Sequence, residues 1–342
     1  MQGEQIMHAF LDPAILFFVF GVLAASVKSN LEIPPAISRF LSLYLLMALG
    51  LKGGFALSHS GFTHEVAASL GAAVTLAVVI PLLGFVVLKR FVSGFDAAAV
   101  AATYGSVSAV TFVTAVQYLE NNEIAFGGHM AAAMALMESP AIILAVIFAN
   151  SLRQQQSSAQ WLQAQHGAAA LKAAGPPTGH SMKHILHESF TDGAQLLLLG
   201  AMLVGLISGE AGKAAMQPFS GDLFKGMLAF FLLDMGLMTA RSMHQLKGIS
   251  AGLLLYAVLA PVIHASLALA AAWLTQASRG DATLLMVLAA SASYIAVPAV
   301  LRTAIPEARP SLYFGMSLGI TFPLNLLVGI PSYAWVAGQF FP

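Results

Sequence analysis

At 342 residues, with 58% hydrophobic and only 9% charged side chains where soluble domains carry about 25% charged, the chain has too little polar surface to live in water. Fifteen Lys and Arg balance fifteen Asp and Glu, which leaves no basic excess for nucleic acid, and the lack of cysteine excludes disulfides, thiolate catalysis and Cys-ligated metals. Apolar runs of about 20 residues recur, the length a helix needs to cross roughly 30 Å of hydrocarbon, and no period-two alternation of a barrel is present. The expected class is an all-α polytopic membrane protein.

Ten spans are predicted. The N-terminal MQGEQIMHAFLDPAILFF lacks the positive stretch of a cleaved signal peptide, so the first apolar run, 13–27, is expected to remain. It ends on Lys28 and the turn-forming Pro34 and Pro35. The second span, 36–49, stops at Gly50, Gly53 and Gly54, and the third, 66–88, closes on Lys89 and Arg90. The fourth, 96–117, reads DAAAVAATYGSVSAVTFVTAVQ and carries at its centre a polar, Gly-containing break that lipid does not tolerate. A polar turn at 120–123 leads to the fifth, 127–150, with Glu138, Ser139 and Pro140 in mid-membrane. From 151 to 183 the composition shifts to Gln, Ser, Ala, Gly and Pro, as in QQQSSAQ and AAGPPTG, marking a solvated linker, helical in part around 161–174. Spans six to ten follow at 190–208, 223–240, 248–275, 282–301 and 312–336. The domains are thus a first five-helix repeat (1–150), the linker (151–183) and a second repeat (184–342).

The halves match. The segment 281–302, DATLLMVLAASASYIAVPAVLR, slides onto 96–117 so that Asp281 falls on Asp96, Ala290 on Gly105, Ser291 on Ser106 and Ser293 on Ser108. In the same way Gly236 falls on Gly50 and Pro323 on Pro140. A repeat of five crossings is odd, so the second copy enters from the opposite side and the repeat is inverted. With the N-terminus outside, one side carries Lys28, Arg39, Lys89, Arg90, Arg153, Lys172, Lys183, Arg241, Lys247, Arg302 and Arg309; the other has Lys52, Lys213, Lys225 and Arg279. The positive-inside rule therefore puts both termini outside and the linker in the cytoplasm, in the inner membrane of the cell.

Each broken span should end a half-helix near the midplane, where unpaired N–H groups carry a dipole worth about +0.5 charge. Two such ends offer roughly one positive charge to an anion, with the amides of Ala109, Val110 and Thr111 and the hydroxyls of Ser106, Ser108, Ser291 and Ser293 as donors. A small, planar, singly charged oxyanion fits this, since no Arg or Lys lies at the centre. The competing reading is that small residues let helices pack closely; coincidence of both breaks in matching spans favours the site. Glu138 and Asp234 each cost at least about 2.5 kcal/mol at the bilayer centre and should face the interior or a cation, the alternatives being a helix cap beside Pro140 and a protonated structural Asp234. His264 reads as a buried hydrogen-bonding residue rather than a proton relay. HILHE at 184–188 has neither HExxH nor HxxEH order, so His184, His187 and Glu188 read as the amphipathic lead-in to span six. There is no GxxxxGK[ST] and no GxSxG, so ATP-driven transport and serine hydrolysis have no support. Glu138, Asp234 and His264 lie on different spans, and no catalytic residue or cofactor is expected.

With these residues in view, the chain resembles the sodium-dependent bicarbonate transporter family best known from cyanobacteria. The likeness spans nearly everything but the linker, at LMALGLKGGFAL, YGSVSAVTFVTA, ALMESPAIILAVIFAN, HESFTDGA, LAPVIHA and AASASYIAVPAVLRTAIPEARPSLYFG. It implies ten transmembrane helices in two inverted five-helix repeats, a core domain moving against a gate domain, and a homotrimer. It also implies bicarbonate import by sodium symport where spans four and nine meet, and a linker that engages a PII-like regulator. By position it assigns the anion to Ser106, Ser108, the Ala109, Val110 and Thr111 backbone, Ser291, Ser293 and Tyr294. The chain departs from the family in two places: cyanobacterial members have an acid at Tyr294, and Gly-Ser at Ala109 and Val110. Without that carboxylate, the oxygens left for a sodium ion include Ser293, Thr111, Glu138 and Asn325. Moving one negative charge into a cell against 100 mV costs about 2.3 kcal/mol, and a cation carried along cancels it. The alternatives are a sodium-independent or proton-coupled carrier of another small monoanion, such as formate or acetate, and a membrane sensor whose linker delivers the output.

Overall fold

The structure, a computed structural model, describes residues 11–166, 193–243 and 248–341 apart from residue 62, together with residue 246. The linker from 167 onward, Lys172, Lys183, Lys247 and the His184, His187 and Glu188 cluster lie outside the described residues.

Every regular element among the described residues is helical. Helix α1, Pro13–Ser26, is capped by Asp12, whose carboxylate accepts from the Ala14 amide. Helix α2 is Pro35–Ser60 and α3 is His64–Leu88, capped by Thr63. The fourth predicted span is two helices, α4 (Gly94–Gly105) and α5 (Ala109–Asn121). Helix α6 runs Met130–His166 and α7 Gly193–Gln217, kinked at Gly209. After a π turn come α8 (Phe224–Met243) and α9 (Ala251–Leu274). The ninth predicted span is likewise split, into α10 (Arg279–Ala290) and α11 (Ala296–Ala304). The last begins with α12 (Pro310–Met316), passes through π turns, and ends in α13 (Ile330–Phe340).

Three expectations about boundaries change. Helix α2 does not stop at its glycines, because they serve packing: a methyl group on Gly54 would lie 2.1 Å from the Met202 carbonyl oxygen of α7. The same close approach recurs between α8 and α1, where a methyl on Gly236 would meet the Phe18 carbonyl oxygen at 2.2 Å. The fifth helix does not end at 150, since α6 continues to His166. Finally, seven described segments are each long and apolar enough to cross a membrane, against the ten spans expected. The shortfall has three sources: α1 has only 14 residues, the halves α10 and α11 are too short singly, and α7 with α8 form one 51-residue helical stretch.

The helices sort into two groups by packing. Helices α1, α2, α7 and α8 pack as α2 on α7, α1 on α8 and α8 on α2. The others surround the two broken spans, with α3 against α4 and α6, α9 against α10, and α10 against α13. Among the described membrane-long segments the broken span Gly94–Asn121 is the most enclosed, with 94% of its most apolar stretch buried. That burial explains the run of alanines in α4, since side chains this small let neighbouring backbones come close without large polar groups to satisfy.

Candidate functional site

The breaks begin with matching caps. Ser93 accepts from the Asp96 amide at the start of α4, and Ser278 from the Asp281 amide at the start of α10. Each aspartate then holds the backbone at the start of a helix from the other half. Asp96 accepts from the Arg309 amide at 2.8 Å and Asp281 from the Gly127 amide at 2.6 Å. A cap of this kind is worth about 1 kcal/mol, and here it also fixes where each half-helix starts relative to its partner.

At the other end, the chain leaves the helix at Ser106 and at Ser291, both extended. The two extended segments cross. The Ser293 amide donates to the Thr103 carbonyl at 2.8 Å, and the Ser108 amide donates to the Ser291 hydroxyl oxygen at 2.9 Å. Ser291 passes this on by donating to Leu288 at 2.8 Å. The carbonyl end of α10 is closed further by Asn325, which donates to Ala290 at 2.8 Å, and by His264, which hydrogen-bonds the Ala289 backbone.

The chain re-enters helix at α5 and α11. Ser108 caps α5, its oxygen accepting from the Thr111 amide at 3.2 Å and the Thr111 hydroxyl at 2.9 Å, while Ser293 accepts from the Val297 amide at 3.3 Å. The first N–H groups of a helix have no partner within it, so the amides of Ala109 and Val110 remain for a ligand. A cavity of about 60 Å³ lies against both N-termini, bounded by Ser108, Ala109, Val110, Ser293 and Tyr294. Glu138 of α6 and Ser42 and Gln195 from the other helix group complete its polar wall.

The structure thus brings together Ser108, Ala109, Val110, Ser293, Tyr294 and Glu138. It does not bring Ser106, Thr111, Ser291 or Asn325 to that cavity. The hydroxyl of Ser106 is spent on the Glu138 carbonyl at 3.3 Å, and Asn325 accepts from Tyr333 at 3.0 Å on the far flank of the crossing. Tyr294 is buried edge-on against Phe322, 5.1 Å between ring centres, and Phe322 in turn meets Phe18 of α1 at 5.6 Å. Its hydroxyl reaches toward Ser108 without a well-formed hydrogen bond. Asp234 does not line that cavity and accepts from Ser38, tying α8 to the start of α2. Sequence reasoning passed over Ser42 and Gln195, although each is a polar side chain within a predicted apolar span.

Two interrupted helices crossing inside an all-helical membrane protein, with helix N-termini around a small cavity, are the arrangement by which secondary transporters hold a small solute. The match to a family model is consistent with that class. Over residues 13–338 the chain fits the Na+-dependent bicarbonate transporter superfamily, and it belongs to that family. A search among curated proteins finds no match.

Proposed function

We propose that this protein is a secondary active transporter that imports bicarbonate by sodium symport, the anion bound between α5 and α11. The observation that carries the reading is the pair of half-helix N-termini, with Ser108 and Ser293, on one cavity of about 60 Å³. That volume suits a few waters or one anion of four heavy atoms, and the two dipoles supply about one compensating charge. Family membership supports bicarbonate and sodium as the solutes. In this reading the chain crosses the inner membrane ten times as two inverted five-helix repeats. The helices α1, α2, α7 and α8 form the gate and the remainder the core; both termini are outside, and the protein is a homotrimer whose cytoplasmic linker takes a PII-like regulator. The matched Ser93/Asp96 and Ser278/Asp281 caps, and the pairing of α1 with α8 as α7 pairs with α2, support the inversion. Uptake of labelled bicarbonate into proteoliposomes tests it: a sodium gradient should drive accumulation, and no uptake by folded protein with or without sodium would retire the reading.

Tyr294 favours a second reading, a carrier of a small monoanion that does not use sodium. Its phenol fills the place where the resemblance puts an acid, and of the four proposed sodium ligands only Ser293 and Glu138 reach the cavity. Tyr294→Asp should then create a sodium dependence that the native chain lacks.

A further inference from the structure

Helix α5 carries a polar stripe that the anion site does not use. From Ser108 at the crossing, Thr111, Thr114, Gln117 and Asn121 recur every three or four residues, which is one face of a helix. Thr111, Thr114 and Gln117 are at most 5% exposed. In α11 the registers of Thr111 and Thr114 hold Ala296 and Ala299, so the internal repeat does not require the stripe.

The amide orientations along it follow from the charges at its end. Lys225 Nζ, which can only donate, lies 2.9 Å from Asn121 Oδ1, so Asn121 Nδ2 turns to Asp12 Oδ2 at 2.8 Å. Gln117 Nε2 donates to the same Asn121 oxygen at 2.9 Å. This leaves Gln117 Oε1 buried, and among the described residues no donor reaches it. Gln117, Thr114 and Asp12 all line a cavity of about 270 Å³ between α1, α5, α8 and the last helical segment. Lys225 opens instead on the neighbouring larger cavity.

An amide oxygen without a donor, a hydroxyl oxygen whose proton goes to Val110 at 2.9 Å, and a carboxylate are hard oxygen ligands with one negative charge among them, the set that suits a small monovalent cation. The geometry points to an alkali-cation site in this cavity, with Gln117 and Thr114 on its inner wall and Asp12 supplying the counter-charge. The site is separate from the crossing, and its existence does not depend on which anion is carried.

Melting of the purified full-length protein in nanodiscs, titrated with sodium or potassium chloride against choline chloride at equal ionic strength, tests this. One alkali ion should raise the melting temperature by about several degrees at saturation. Asp12→Asn, Thr114→Val and Gln117→Leu should each raise the concentration needed about tenfold. Ser293→Ala, at the crossing, should retain a saturable shift. The proposal is overturned if neither alkali ion exceeds choline, if Ser293→Ala abolishes the shift, or if Asp12→Asn, Thr114→Val and Gln117→Leu all leave the concentration needed unchanged. Because the readout is binding, it stays informative even where bicarbonate uptake fails.

Discussion

Ser108 does two jobs, capping α5 through the Thr111 amide and facing the cavity, whereas Ser293 makes a longer contact to Val297. A hydrogen bond to a charged partner contributes about 1.5–3 kcal/mol, so Ser293→Ala should cut bicarbonate uptake by at least about tenfold with expression unchanged. Ser108→Ala should lose as much transport and about 1 kcal/mol of stability besides; native uptake by both variants would move the site elsewhere. His129, just before the membrane-long helix that begins at Met130 rather than at the expected 127, gives stability a pH dependence. Burial holds its pKa below the usual imidazole value, and the Asp281 charge opposes that shift only in part. A histidine kept neutral by the fold contributes fully above its unfolded pKa, about 6.5, and that contribution is lost as pH falls below it. Melting temperature should therefore drop as pH falls below about 6.5, and His129→Gln should flatten that drop.

Among the elements, the close pairs α2–α7 and α1–α8 rest on backbone meeting backbone at Gly54 and Gly236. Since the opposing atoms are main-chain carbonyls, no side chain can step aside, and Gly54→Leu or Gly236→Leu should cost about 3 kcal/mol or more, at the upper end for overpacking. Thermal melting in detergent would read this, and unchanged melting would mean that the helices sit further apart. The broken helices were legible in the sequence because a Gly and Ser cluster in mid-span frees backbone groups that only protein or a cavity can satisfy. The length of α2 was not: glycines that let helices approach look the same as glycines that stop them. Nor was the loss of Ser106 and Ser291 to backbone partners visible, because periodicity places a hydroxyl at a depth but not the carbonyl it meets.

For the whole molecule, three polar links between the two helix groups, among the described residues, gather at one rim. Lys52 of α2 pairs with Glu120 of α5 at 2.9 Å, and Asn121 of α5 meets both Lys225 of α8 and Asp12. Arg153–Glu307 and Asp96–Arg309, by contrast, each lie inside one group. The cavity at the crossing reaches Ser42, in the first half of α2, while Lys52 and Ala56 line the larger cavity of about 570 Å³. The cavity at the crossing thus lies nearer the opposite rim from these links. As the native chain has no cysteine, Ser42→Cys is a clean probe: an impermeant maleimide should label it from the side where α2 begins and not from the other. A single exposed pair such as Lys52–Glu120 contributes about 1 kcal/mol or less, weak enough for the groups to part during a transport cycle.

Glu138 and the outermost turn at His166 belong to one helix, so the cavity wall and the far tip share a lever. The 28 residues between them span about 42 Å at 1.5 Å per residue, so a tilt of about 5° at the carboxylate sweeps the tip by roughly 4 Å. Pro140, two positions from Glu138, removes one backbone bond and is where such a rod bends. The fulcrum therefore sits beside the cavity at the crossing, and a spin label near the tip would register any swing of the arm.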